Sequence, residues 1–225
     1  MTTIYDLIIL DESGSMSTLT AQTISGCNET MQTIQAAQEQ NSDVQKHLVS
    51  VYAFQSGEVP SRYLIKNVPA EAAFGITRKD YKPNGCTPLY DAIGSCIADL
   101  KATIGDDKDS IGSITIITDG MENSSRRYSL GQVLRMIDAQ KELGWEFHFI
   151  GANIDAKAVS QRLHIDNSLQ FDATPDGMEE MWEHEKGMKL YYMQAMSMID
   201  RDCSLSDEER LERRKEDARN INKKA

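Results

Sequence analysis

The most informative stretch of this 225-residue chain is residues 5–15, which read YDLIILDESGS. The apolar run that ends at Leu10 predicts a buried strand. Asp11, Ser13 and Ser15 follow directly, so one carboxylate and two hydroxyls are delivered at the carboxyl end of that strand. Hard cations such as Mg²⁺ or Mn²⁺ prefer oxygen ligands of these kinds. The stretch therefore indicates one part of an oxygen-only metal site.

Two later segments supply matching pieces. Residues 84–92 read NGCTPLYDA and place Thr87 in an irregular loop before a predicted helix. Residues 114–120 read ITIITDG, a second apolar strand that ends on Asp119. In open α/β sheets, ligands bind beyond the carboxyl ends of the strands, where the strand order reverses. The predicted metal ligands are Asp11, Ser13, Ser15, Thr87 and Asp119.

These three segments together resemble the von Willebrand factor A family and its metal-ion-dependent adhesion site, over roughly residues 1–200. The resemblance implies that Ser13, Ser15 and Thr87 bind Mg²⁺ or Mn²⁺ directly. Asp11 and Asp119 would act through water or by hydrogen-bonding those ligands. It also implies that a protein partner supplies a Glu or Asp carboxylate to the ion. The competing interpretation is structural, because Ser and Asp after a strand also cap helices and form turns.

The pattern of segments predicts the fold class. Strand-like segments fall at 4–10, 47–54, 62–68, 112–118, 145–151 and 168–171. Helix-like segments fall at 18–40, 88–102, 128–142, 155–163 and 175–201. This alternation predicts an α/β, Rossmann-like, doubly wound and mostly parallel six-stranded sheet with helices on both faces. The connection 55–61 is too short for a crossover helix, so 62–68 should be an antiparallel edge strand.

Domain organisation is predicted as one domain at 1–203 followed by a charged helical tail at 204–225. Residues 206–209, SDEE, resemble a capping box that opens the tail helix. Its apolar residues are only Leu211, Ala218 and Ile221, so we expect this helix to be solvent-exposed. In the helix before it, methionines at helical spacing should pack onto the sheet.

Composition excludes several classes of protein. A net charge of −11 opposes a nucleic-acid partner, which would require basic residues. No apolar stretch approaches the roughly 18 residues of a membrane span, and no export signal is recognisable at the N-terminus. The four cysteines form no Cys-x-x-Cys motif, which argues against zinc and favours reduced thiols in the cytoplasm. Cys86 is expected to be a small buried residue.

The sequence favours a binding protein over an enzyme, because it contains neither a Gly-x-Ser-x-Gly elbow nor a Gly-x-x-x-x-Gly-Lys-Ser/Thr phosphate loop. We predict an adaptor that uses its metal ion to hold an acidic group of a partner. One alternative is a metal-assisted phosphoester hydrolase in which Asp11 or Asp119 positions water. Another is a subunit of an ATP-driven assembly of the chelatase or MoxR type.

Overall fold

The computed structural model describes residues 1–152 and 155–224, with side chains described as far as Ile221. The strands are β1 (Thr2–Asp11), β2 (Gln45–Phe54), β3 (Arg62–Pro69), β4 (Ser110–Thr118), β5 (Glu146–Ala152) and β6 (Asn167–Phe171). The helices are α1 (Thr20–Asn41), α2 (Leu89–Ile104), α3 (Leu130–Lys141), α4 (Ala156–Arg162), α5 (Pro175–Arg201) and α6 (Asp207–Lys224). Short 3₁₀ helices occur at Gly14–Leu19 and Ala70–Ala72.

The strands form one sheet in the order β3-β2-β1-β4-β5-β6. β1 pairs in parallel with β2 on one side and with β4 on the other, while β3 runs antiparallel to β2 at the edge. The predicted fold class and the antiparallel edge strand are therefore confirmed. The strand order reverses between β1 and β4, so their carboxyl ends define the edge at which a ligand is expected.

Both faces of the sheet are covered. Successive side chains of a strand point to opposite faces. On β1, Ile8 belongs to a buried cluster that includes residues of α1, whereas Ile9 belongs to a cluster that includes residues of α2 and α3. This is why the apolar run of β1 is continuous rather than alternating.

Helix α5 contributes to both clusters. The predicted stripe packs as expected: Met178, Met181, Met188, Tyr192, Met196 and Ile199 are buried. Against α1, the Trp182 ring lies so close to Gly26 that a Cβ there would be 2.1 Å from the ring atoms. Only glycine fits at that contact.

Beneath α5 lies a group of buried charges, which we name the charged core cluster: Asp6, His47, Glu146, Glu185 and Lys189. Asp6 contacts both His47 and Lys189, through 2.7 Å between its Oδ2 and His47 Nδ1 and 3.2 Å between its Oδ1 and Lys189 Nζ. Lys189 Nζ also donates to Ser113 Oγ at 2.8 Å, and that hydroxyl donates to Glu146 Oε2 at 2.9 Å. One lysine of α5 thus links polar side chains of β1, β4 and β5.

The expectation of a solvent-exposed tail helix is wrong. Ala218 and Ile221 of α6 are buried in the main core cluster. Arg214 is also buried, and its guanidinium donates to Asp200 Oδ1 of α5 and to Thr2 Oγ1 of β1 at 2.8 and 2.7 Å. The buried Arg214 therefore adds to the few apolar contacts that hold α6 against the rest of the domain. Ala225, the last residue of the predicted tail, lies outside the described residues.

Candidate metal centre

Asp11 lies at the carboxyl end of β1, beside the carboxyl end of β4. Leu10 is paired with Ile117, which brings Asp11 next to Thr118. Thr118 Oγ1 donates to Asp11 Oδ2 at 2.5 Å, and the Ser13 backbone N–H donates to Asp11 Oδ1 at 2.7 Å. The carboxylate is fully buried and both of its oxygens accept a hydrogen bond. It is therefore held in one orientation.

Ser13, Ser15 and Asp119 follow one another in a chain of contacts. The Ser13 and Ser15 hydroxyl oxygens are 3.1 Å apart, and Ser15 Oγ donates to Asp119 Oδ1 at 2.6 Å. Residues 13 and 15 come from the loop after β1, whereas Asp119 follows β4. The sheet thus joins two segments that are more than a hundred positions apart in the sequence.

Thr87 reaches the same place from the loop before α2. Its Oγ1 lies 3.0 Å from the position that a Cβ of Gly120 would occupy, so the threonine side chain sits against the residue that follows Asp119. Asn123 fixes its backbone on both sides: Thr87 N–H donates to Asn123 Oδ1 at 2.9 Å, and Asn123 N–H donates to Thr87 O at 3.2 Å. The structure thus places Thr87 against the residue that follows Asp119, and no hydrogen bond joins its hydroxyl to the other four predicted residues.

Glu12, which sequence reasoning passed over, anchors the loop after β1. Its carboxylate is fully buried and accepts two hydrogen bonds from Arg62 of β3, at 2.7 and 3.1 Å. Gln55 Nε2 at 2.7 Å and the Lys82 backbone N–H are further donors. In addition, Tyr81 donates its hydroxyl to Asp11 O at 2.6 Å. The Asp11–Ser15 loop is therefore attached to β3 and to the loop before α2.

The loop after β4 is held against the start of α2 by three more side chains that the sequence analysis did not assign. Asp91 accepts hydrogen bonds from three consecutive backbone N–H groups, those of residues 126–128, each at 2.8 Å. Glu122 accepts from Tyr90 N–H at 2.9 Å, and Asn123 holds Thr87 as described. Asp91 lies within the quoted segment 84–92, so its position could have suggested a structural role.

The electrostatics of the site suit a cation. Burial raises the pKa of Asp11 to about 6, against the opposing hydrogen bonds from Thr118 and Ser13, and the Asp119 charge adds to the rise. Burial also raises the pKa of Asp119. Within the part of the chain that the structure describes, neither carboxylate is in an ion pair with a basic side chain. A bound cation would supply the compensating charge that both lack.

The donor set also fits the ions expected from the sequence. It consists of hydroxyl and carboxylate oxygens, which Mg²⁺ and Mn²⁺ accept. Among the residues described, no group of three or more His, Cys, Asp or Glu side chains is arranged to hold a metal. An ion at this edge would consequently depend on the hydroxyls of Ser13, Ser15 and Thr87.

The expectation that Cys86 is buried is wrong, because its side chain is exposed. The backbone explains this. Cys86 N–H donates to Ser56 Oγ and its carbonyl accepts from Ser56 N–H, each at 3.1 Å. These bonds fix the loop against the β2–β3 turn and leave the thiol at the surface beside Thr87.

Comparisons with known proteins bear on the fold. No protein-family model matches the chain, and no curated protein matches it. Among solved structures, the pilus adhesin SpaC from Lactobacillus rhamnosus GG matches with a TM-score of 0.62 and 15% identity over 86% of this chain. Proximal thread matrix protein 1 from the mussel byssus matches with a TM-score of 0.52 and 12% identity over 84% of the chain. The SpRpn10 VWA domain matches with a TM-score of 0.50 and 12% identity over 80% of the chain.

These matches show a von Willebrand factor A-like fold. The chain spans 31% of the adhesin and 48% of the byssus protein, but 94% of the SpRpn10 domain. At this identity the likeness concerns the fold alone. Within the described residues, no helix combines the length and apolar character that crossing a bilayer requires.

Proposed function

We propose that this chain is a protein-binding domain of the von Willebrand factor A type, which holds Mg²⁺ or Mn²⁺ and through it a Glu or Asp carboxylate of a protein partner. One observation carries the proposal: Ser13, Ser15 and Asp119 form a chain of contacts that is joined to Asp11 through the Ser13 N–H, and neither carboxylate has a basic partner within the described residues. Thr87 lies against Gly120, the residue after Asp119. The VWA domain and the adhesin among the structural neighbours support a role in protein interaction.

Each residue has a distinct part in this proposal. The hydroxyls of Ser13, Ser15 and Thr87 would hold the ion. Asp119 orients the Ser15 hydroxyl by accepting its hydrogen bond. Asp11, held in place by the hydrogen bond from Thr118, would contribute negative charge near the ion. When bound, the ion supplies a positively charged position that accepts one oxygen of a carboxylate. Since few carboxylates would bind it directly, the ion would keep a strong attraction for an acidic group.

The enzyme alternative stays a prediction. A hydrolase would need Asp11 or Asp119 to position water. Both Asp11 oxygens already accept hydrogen bonds, from Thr118 and from Ser13 N–H, and the carboxylate is fully buried, so the partly exposed Asp119 is the better placed of the two for this role. Membership of an ATP-driven assembly stays a prediction.

We further propose a reducing compartment such as the cytoplasm. All four cysteines, Cys27, Cys86, Cys96 and Cys203, are free. Two of them are exposed, which is a liability in an oxidising compartment.

Replacing Thr87 with Ala should reduce capture of partner proteins by about tenfold or more, since loss of a group that supports a metal ion costs at least that much affinity. The measurement is a pull-down from lysate in MgCl₂ and in EDTA. Thr103→Ala on α2 is the matched control, because Thr103 is exposed and bonds only to its own helix through Asp99 O.

Wild type in EDTA should behave like Thr87→Ala in MgCl₂, and Thr103→Ala should behave like wild type. Equal recovery of the same partners from all samples, with and without EDTA, would refute the proposed function.

A further inference from the structure

A surface groove begins directly beside Thr87. It has a volume of about 520 Å³ and runs past Cys86 and Pro88 along the first turns of α2. It continues into a second depression of about 340 Å³ above the β2–β3 edge. The two share three lining residues, Tyr52, Ser95 and Arg127. The two depressions therefore adjoin, and the larger one is lined by Cys86 and Pro88, the chain neighbours of Thr87.

Two adjacent arginines, Arg126 and Arg127, line this groove. Both are exposed, and in the described part of the chain neither guanidinium has an acidic partner. Arg127 contacts only neutral groups: its Nη1 donates to Ser95 Oγ at 3.4 Å, and its Cζ lies 5.6 Å from the centre of the Tyr128 ring. The net charge of the chain is −11, yet these two adjacent arginines have no acidic partner among the described residues.

The carboxylates along the groove are already engaged. Asp91 accepts the backbone N–H groups of residues 126–128, each at 2.8 Å. Asp99 is in an ion pair with Lys66 at 2.6 Å. The groove consequently offers positive charge to a ligand. The same Asp91 bonds hold the backbone of both arginines in place, so little backbone ordering would be required on binding.

We propose that this groove binds an acidic segment of the protein partner. One carboxylate of the segment would reach the metal ion, and neighbouring Glu or Asp side chains would pair with Arg126 and Arg127. Guanidinium groups form paired hydrogen bonds with carboxylates, which makes arginine well suited to this contact. The first part of this inference rests on the proposed function, and the arginine contacts do not.

The probe is fluorescein-labelled hexaglutamate, with hexaglutamine as the neutral peptide, and fluorescence polarisation at about 0.1 M salt is the measurement. The double variant Arg126→Gln/Arg127→Gln should bind hexaglutamate about tenfold more weakly than wild type in MgCl₂, since each exposed charge pair contributes modestly. Hexaglutamine should not bind to either protein.

The matched control is Lys46→Gln/Lys108→Gln, which removes the same charge. Both lysines are exposed and lie at the amino ends of the central strands, because Lys46 pairs with Thr3 and Lys108 precedes the Ser110 partner of Thr3. This control should stay within about twofold of wild type, because charges at the far edge are screened. Bound peptide should also slow alkylation of Cys86 but not of Cys203.

Equal affinity of the arginine double variant and wild type, or no binding of hexaglutamate by wild type, would overturn the inference. Measurements in EDTA and with Thr87→Ala distinguish a failure of the groove inference from a failure of the proposed function. Binding that requires the arginines, but is unaffected by EDTA and by Thr87→Ala, would support the groove and refute the metal bridge. Binding that is lost in EDTA and in Thr87→Ala, but is unchanged in the arginine double variant, would support the metal bridge and refute the groove.

Discussion

Replacing Lys189 with Met should lower the free energy of unfolding by about 3–5 kcal/mol, the usual cost of leaving a buried charge without its partner. Lys189 is buried, and its ammonium lies 3.2 Å from the fully buried Asp6 carboxylate. Burial opposes ionisation of Asp6, but attraction to Lys189 and His47 outweighs it and holds the pKa of this carboxyl below its ordinary value. Methionine is one heavy atom shorter than lysine, and it removes the charge together with the hydrogen bond to Ser113 Oγ.

Urea unfolding followed by circular dichroism measures this loss, with Lys186→Met as the matched control. Lys186 lies on the same helix, and among the described residues its only ion pair is a half-exposed one with Glu183 at 3.7 Å. The control should change stability by less than about 1 kcal/mol. Equal stability of the two variants would mean that the charged core cluster contributes nothing.

The loss should also be larger at pH 8 than at pH 6. Burial raises the pKa of Glu146 from 4.5 to about 7, although Lys189 opposes the rise. Stability from this group is therefore present below about pH 4.5 and is lost as the pH rises through 7. Without Lys189 the ionised form would be still less favourable, so the variant should lose more stability over this interval.

Removal of residues 204–225 should lower the melting temperature by about 6–12 °C, which corresponds to roughly 3 kcal/mol for a domain of this size. Burial of Ile221 alone accounts for about 1.5–3 kcal/mol. Truncation also removes Arg210, which donates to Ile199 O at 2.9 Å and Asp202 O at 2.6 Å at the end of α5. Thermal unfolding followed by circular dichroism is the measurement.

Two neighbouring arginines test the same docking contact in the full chain. Arg214→Met removes the buried partner of Asp200, whereas Arg213→Met removes only an exposed pair with Asp202 at 3.3 Å. The first should destabilise the protein and the second should leave its melting temperature nearly unchanged. If the truncated chain had the same melting temperature as the full chain, α6 would not stabilise the domain.

Most of the fold could be predicted from the sequence, because the pattern of apolar residues reports burial directly. The apolar runs in β1 and β4 are covered on both faces, and the short turn after β2 leaves room only for an antiparallel neighbour. The docking of α6 could not be predicted in this way. It depends on the ion pair between Arg214 and Asp200. Arginine is ordinarily exposed, so its burial cannot be read from the pattern of apolar residues.

The location of the candidate site was also predictable, since strand ends on the same edge meet in space. Its supporting contacts were not. Glu12 depends on Arg62, and Asp91 depends on the backbone of a loop 35 or more positions away. Such pairings follow from tertiary structure and leave no periodic pattern in the sequence. Cys86 was misjudged for the same reason, because the bonds of its backbone to Ser56 set its exposure.

Isothermal titration of MgCl₂ into EDTA-treated, dialysed protein decides whether a metal ion binds beside Asp11 and Asp119. Ser15→Ala is compared with Ser17→Ala, since both serines are exposed in the same 3₁₀ helix and only Ser15 contacts Asp119. We expect wild type and Ser17→Ala to bind one ion with equal affinity, and Ser15→Ala to bind it at least about tenfold more weakly. Absence of binding heat in the wild type, or equal affinity in all three proteins, would contradict a metal ion at this edge of the sheet.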